Sequence, residues 1–235
     1  MIKSNLSKRI LTSLFLILAL FFCLFYNELS WKSLLIFFLA LCFYEFNNLI
    51  NKIFINKLIS SILIFLILIY LYLIYTILVK IRFEYGEEII LILFLTCILS
   101  DIGGYVVGKL IGGPKLTKIS PGKTIAGALG SIIFTVFGTI FFIKYLVEID
   151  KIILSELLSF KYLWLILMSI FCQSGDLLVS YLKRKANIKD TGTFLPGHGG
   201  ILDRVDGIIF AIPLGVLSYL ILKTLAWKKK LPYLD

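Results

Sequence analysis

Apolar residues along this chain gather into long runs, separated by short clusters of charged, glycine and proline residues. Seven runs stand out, near 8–26, 31–50, 57–80, 87–110, 123–147, 161–183 and 205–227. Each approaches the ~20 mainly apolar residues that carry a helix across the hydrocarbon core of a bilayer. Backbone groups in lipid must be paired within the segment, so the runs predict helices. The pattern predicts an all-α, polytopic integral membrane protein with about seven transmembrane helices. No internal repeat or low-complexity linker interrupts it, and no soluble domain of useful size is left over. We therefore expect a single membrane domain over 1–235, with N-terminal spans in 1–86 and further spans and loops in 87–235.

Composition agrees with the pattern. Hydrophobic residues make up 60% of the chain, and the mean hydropathy is +0.99. Roughly half apolar is typical of a soluble domain. The first run follows Lys3, Lys8 and Arg9 as a signal peptide would. It continues to Tyr26 with no small-x-small cleavage site after it, so it reads as a retained span. Cys23, Cys42, Cys97 and Cys172 all lie inside apolar runs and form no close metal-ligand pair. They read as small buried hydrophobes.

The net charge is +10. It fits basic residues facing anionic headgroups, or recognition of a polyanionic substrate. Nucleic-acid binding is not expected, because no basic soluble module remains outside the spans. With the N-terminus inside, most of the 24 Lys and Arg fall on the cytoplasmic side. Lys223 and Lys228 to Lys230 run against that assignment. Whichever orientation holds, the loops near 111–122 and 184–204 are separated by two spans and share a membrane face.

Those loops and their flanking spans carry the unusual chemistry. Ionisable residues within spans are costly and mark function. Asp101 lies in SDIGGY, with Tyr105 and Gly108 on its own helix face. Asp176 lies in QSGDL, and Ser180 and Lys183 follow at offsets that share its face. Either carboxylate could instead pair with a lysine of a neighbouring helix and serve packing alone. Glu45 is nearer a helix end, where it could snorkel to the interface and serve structure alone.

Residues 180–207 concentrate Lys183, Arg184, Lys185, Lys189, Asp190, His198, Asp203, Arg204 and Asp206 with five glycines and Pro196. Arginine grips phosphate as a fork and lysine as a point charge. Glycine lets the backbone approach an anion. Asp203 and Asp206 share a helix face and suit a hard cation with oxygen ligands. The set points to a metal-plus-polyphosphate site and to nucleotidyl or phosphoryl transfer. His198, the single histidine, could bond phosphate, hold the turn or move a proton. The other loop contains Gly112, Gly113, Lys115, Lys118, Ser120, Gly122, Lys123 and Thr124. Its SPGKT lacks the full P-loop frame, since Thr117 stands where the first glycine belongs. A helix starting near Lys123 could still offer N–H groups to phosphate.

Segment 180–206 resembles the signature of the phosphatidate cytidylyltransferase (CDP-diacylglycerol synthase) family. Ser180, Lys183, Arg184, Lys189, Asp190, Gly192, Leu195, Pro196, His198, Gly199, Gly200, Asp203, Arg204 and Asp206 all stand where that signature has them. QSGDL at 173–177 and SDIGGY at 100–105 also resemble the family. One departure is SPGKTIAG at 120–127, where Gly122 replaces a family lysine and Ala126 a family glutamate.

The resemblance implies a reaction in which the phosphate of phosphatidic acid attacks the α-phosphorus of CTP and pyrophosphate leaves. It implies Mg²⁺ held by Asp176, Asp203 and Asp206, and phosphates held by Lys183, Arg184, Lys189 and Arg204. Asp190 and His198 belong to the same catalytic set. Asp101, Ser120, Lys123, Thr124 and Ser180 are substrate-binding candidates. A second, monovalent cation and a homodimer are left open. The expected location is the bacterial inner membrane, with the loops facing the cytoplasm. The rivals are a CTP-dependent lipid-alcohol kinase, which would release CDP, and a secondary transporter, which would show broken helices in related halves.

Overall fold

A computed structural model of the protein describes residues 2–146, 161–195 and 199–230. Its helices are α1 (Ile2–Tyr26), α2 (Glu28–Ile53), α3 (Lys57–Tyr85), α4 (Glu87–Ile111), α5 (Ile125–Leu146), α6 (Lys161–Lys185) and α7 (Leu202–Lys230). Among the described residues the only β contacts are two isolated bridges. The fold is all-α and polytopic. The six helices α2 to α7 are each long and apolar enough to span a bilayer, and α1 adds a shorter apolar stretch, Leu11–Tyr26. Large apolar side chains such as Phe15, Phe65, Phe137 and Leu217 are exposed along them. Lipid, not water, is the solvent that accepts such a surface.

By its internal contacts the chain divides into two compact units, Met1–Glu87 with Leu178–Asp206, and Glu88–Leu177 with Gly207–Asp235. In the first unit α1 packs on α2, and α2 on α3. Its core includes Leu24, Trp31, Leu49, Leu71 and Ile74. Side chains suited to capping mark the helix boundaries. Asn27 and Ser30 form a reciprocal capping box at the start of α2, and Ser30 Oγ also donates to Cys23 O at the end of α1 (2.9 Å). Asn56 Oδ1 accepts from Leu58 N (2.9 Å), starting α3. Gly86, at φ +86°, ends α3, so that helix reaches Tyr85 instead of stopping near 80. Arg82 donates to Leu24 O (2.9 Å) and pairs with Glu87 (3.0 Å), so one side chain joins three helix ends.

In the second unit α4 and α5 meet along a seam of small residues. A Cβ at Gly103 would lie 2.5 Å from Gly130 O, and one at Gly127 would lie 2.7 Å from Gly104 O. Lipid gives helices no hydrophobic reason to associate. Such backbone approach supplies van der Waals contact instead. Hydrogen bonds add to it: Ser100 to Ser169 (3.0 Å), and Trp164 Nε1 to Gly215 O (2.9 Å). Cys42, Cys97 and Cys172 are buried and Cys23 half-buried, all as free thiols.

Candidate functional site

The second unit positions one set of polar groups. After α4 the chain turns at Gly112 (φ +66°) and Gly113 (φ +91°). It then folds back on itself. Leu116 N donates to Lys123 O (2.9 Å), Ile125 N to Pro114 O (3.0 Å), and Lys123 N to Ser120 O (3.0 Å). Thr124 caps α5, its Oγ1 accepting from Gly127 N (3.0 Å). The turn therefore delivers Lys123 to the positive end of a helix. Beside it lies a cavity of about 260 Å³ whose lining includes Asp101, Tyr105, Lys123, Thr124, Gln173 and Asp176. Lys123 Nζ pairs with Asp176 Oδ2 at 2.5 Å. Asp101 Oδ1 accepts from Cys172 Sγ at 3.8 Å. Four residues singled out from sequence, Asp101, Lys123, Thr124 and Asp176, thus line one cavity. Gly122 lines it too, and a Cβ there would meet no atom within 4 Å.

The first unit positions the other set. Helix α6 ends in a Schellman arrangement, with Asn187 at φ +56°. Ile188 N donates to Lys183 O (3.0 Å) and Asn187 N to Arg184 O (3.1 Å). This turns the chain out of the helix just before Lys189 and Asp190. Leu195 and Gly199 then exchange backbone hydrogen bonds (3.0 and 3.2 Å). His198, Pro196 and Gly197 lie outside the described residues.

Asp203, in the first turn of α7, is enclosed. Its Oδ1 meets Lys183 Nζ at 2.6 Å. Its Oδ2 accepts from Thr191 N (2.8 Å) and Gly200 N (3.2 Å). Arg184, Lys189, Asp190 and Arg204 are exposed, while Ser180 and Asp206 are half-buried. Arginine and lysine at such exposed positions can reach phosphate oxygens.

One functional side chain was misjudged from sequence. Glu45 is 1% exposed and does not snorkel. It accepts hydrogen bonds from Thr191 Oγ1, Ile201 N and Leu202 N. Its position near the end of an apolar run suggested an interface, but its donors come from a loop far along the chain. Thr191, which carried no charge or motif signal of its own, is the residue shared by Glu45 and Asp203.

Comparison with known proteins decides the family. Residues 54–222 match the cytidylyltransferase family. The chain belongs to that family. Among similar proteins is one from Helicobacter pylori named phosphatidate cytidylyltransferase, 41% identical over 139 residues, which are 58% of this chain and 49% of the relative. Proteins of the same name from Staphylococcus haemolyticus and Bacillus subtilis are each 42% identical, over 133 and 135 residues. These cover 55% of this chain and 48% and 46% of the relatives, respectively. The chain spans about half the length of the curated relatives it matches.

For a member of this family the donor set can be tested against a divalent cation. Carboxylates suit Mg²⁺. Asp176 lines an open cavity. Both oxygens of Asp203 are engaged, one by an ammonium, so a metal bound there would take the place of Lys183. Among the described residues no three His, Cys, Asp or Glu side chains already form a cage.

Proposed function

We propose that this protein transfers the cytidylyl group of CTP to phosphatidic acid, forming CDP-diacylglycerol and releasing pyrophosphate. The observation that carries the proposal is family membership combined with ~40% identity to relatives named for this activity. The local chemistry is compatible with it. A phosphate oxygen of the lipid forms a bond to the α-phosphorus, and the bond from that phosphorus to the β-phosphate oxygen breaks. The attacking group is already an anion, so no strong base is needed. The barrier lies in bringing two anions together and in stabilising the charge that moves onto pyrophosphate. Lys123, at the N-terminus of α5, offers a cation and the positive end of a helix. Lys183, Arg184, Lys189 and Arg204 offer further phosphate-binding groups. Holding both reactants in line supplies much of the remaining acceleration.

We include Mg²⁺ in the proposal. When bound, it would neutralise phosphate charge; the carboxylates proposed as its ligands are Asp203 and Asp206 in the first unit and, taken by itself, Asp176 in the second. The loops are proposed to face the cytoplasm from a bacterial inner membrane.

The test is pyrophosphate release by the purified protein in detergent, with CTP, phosphatidic acid and Mg²⁺. Release that depends on the lipid, with the CTP α-phosphate recovered in the lipid product, is expected. CDP released on addition of a lipid alcohol, with no pyrophosphate, would replace this proposal with a kinase.

A further inference from the structure

We infer that Glu45 is a positioning residue: a buried carboxylate of α2 that holds both ends of the basic loop and caps α7 from another helix. The start of any helix leaves backbone N–H groups without intrahelical partners. The usual remedy is an oxygen-bearing side chain at the residue before the helix. Here that residue is Ile201, which has no such atom. Glu45 supplies the oxygens instead: Oε1 accepts from Ile201 N (2.9 Å) and Oε2 from Leu202 N (2.9 Å). Its negative charge lies at the positive end of α7, where the helix dipole favours it. Among the described residues Glu45 makes no ion pair. Its charge is therefore compensated by N–H and O–H donors and that dipole.

The same carboxylate holds the other end of the loop. Oε2 accepts from Thr191 Oγ1 at 2.6 Å. Thr191 Oγ1 also lies 3.1 Å from Asp203 Oδ2. A hydroxyl has one proton, and the shorter contact assigns it to Glu45. Asp203 keeps the Thr191 and Gly200 N–H groups, and its other oxygen keeps Lys183. Glu45, Thr191, Asp203 and Lys183 thus form one connected chain.

The loop is also shaped around Glu45. A Cβ at Gly192 would lie 2.9 Å from Glu45 Cδ, and one at Gly200 would lie 2.6 Å from Oε2. Gly192 is explained by the carboxylate it wraps, and Gly200 by the Thr191 hydroxyl together with that carboxylate. Among the described residues no helix or strand intervenes between α6 and α7 to fix Lys189, Asp190 and the groups beside them. Glu45 does that work without being placed to touch a substrate.

The test uses the full-length protein in detergent and two readouts. Hydrogen exchange followed by mass spectrometry reports loop order directly. Pyrophosphate release, which rests on the cytidylyl-transfer proposal, reports its kinetic consequence. Glu45→Gln keeps size and removes one acceptor. However the amide turns, its NH₂ faces the N–H of either Ile201 or Leu202. Amides across 188–204 should exchange about tenfold to a hundredfold faster. The melting midpoint should fall by about 3–11 °C, the thermal equivalent of that same change for a chain of this size, while amides of α2 and α3 keep their protection. The kcat should fall about tenfold to a hundredfold, with the CTP KM changing less than about threefold. Thr191→Val should loosen the same amides, and Thr191→Ser, which keeps the hydroxyl, should retain their protection.

Unchanged loop exchange in Glu45→Gln overturns the inference. So does exchange accelerated equally throughout α2 and α3, since that is a purely structural role. Faster loop exchange in a protein whose wild type releases no pyrophosphate upholds the clamp and removes the cytidylyl-transfer proposal instead.

Discussion

The seam between α4 and α5 makes Gly103→Ala a stringent perturbation. The added Cβ would sit 2.5 Å from Gly130 O and 2.5 Å from Phe134 Cβ. Ordinary carbon contacts begin near ~3.5 Å, so the two helices must separate locally by about 1 Å. One of the two obstacles is backbone and cannot rotate away. Overpacking of this kind costs about 1–3 kcal/mol. A gap of that size also forfeits roughly a quarter to a half of each neighbouring contact along the seam. Against this, alanine gains about 1 kcal/mol over glycine inside a helix. The balance is a net loss of about 1 kcal/mol, or roughly 2–4 °C in melting midpoint for a chain of this size. Thermal unfolding in detergent measures it. Gly122→Ala is the control, because its Cβ would meet nothing within 4 Å, and its midpoint should not move. If Gly103→Ala melts at or above wild type, the glycine seam is not what holds these helices together.

Two further outcomes are expected. Under the proposed reaction, Lys123→Ala should lower cytidylyl transfer about a hundredfold through the loss of a cation proposed to meet the phosphates. The same change should cost at most about 1 kcal/mol of stability, because its ion pair with Asp176 is partly exposed; an equally large loss of both would make Lys123 structural. Maleimide labelling of the folded protein should modify Cys23 before Cys97 and Cys172, which should react only after denaturation; early labelling of Cys172 would contradict its burial.

The helices were legible because lipid permits so few alternatives. Each apolar run became a helix, with ends displaced by capping chemistry, as where Gly86 ends α3 beyond the expected 80. The clustering of Lys123 and Thr124 at a helix start was legible as well, since an N-cap is a local signal. Other features depend on partners distant in sequence. Lys183 and Asp203 were assigned separate duties, phosphate and metal, yet they form an ion pair. Glu45 was the least legible, because nothing beside it in α2 announces a donor at residue 191 or 201. The α4–α5 seam had a signal that went unread: Gly103, Gly104 and Gly108 against Gly127 and Gly130 is a small-residue pattern of the kind that lets membrane helices touch.

The reach of Glu45 has a consequence for biogenesis. Thr191 lies 146 residues further along the chain, and at roughly 5–20 residues per second a ribosome needs about 7–30 s to cover that distance. During that interval α2 has been made and its acid has none of the loop donors that later enclose it. The nascent protein must therefore keep Glu45 hydrated or provisionally partnered until the loop arrives. Completion of the basic loop is then also the step that encloses the acid of α2.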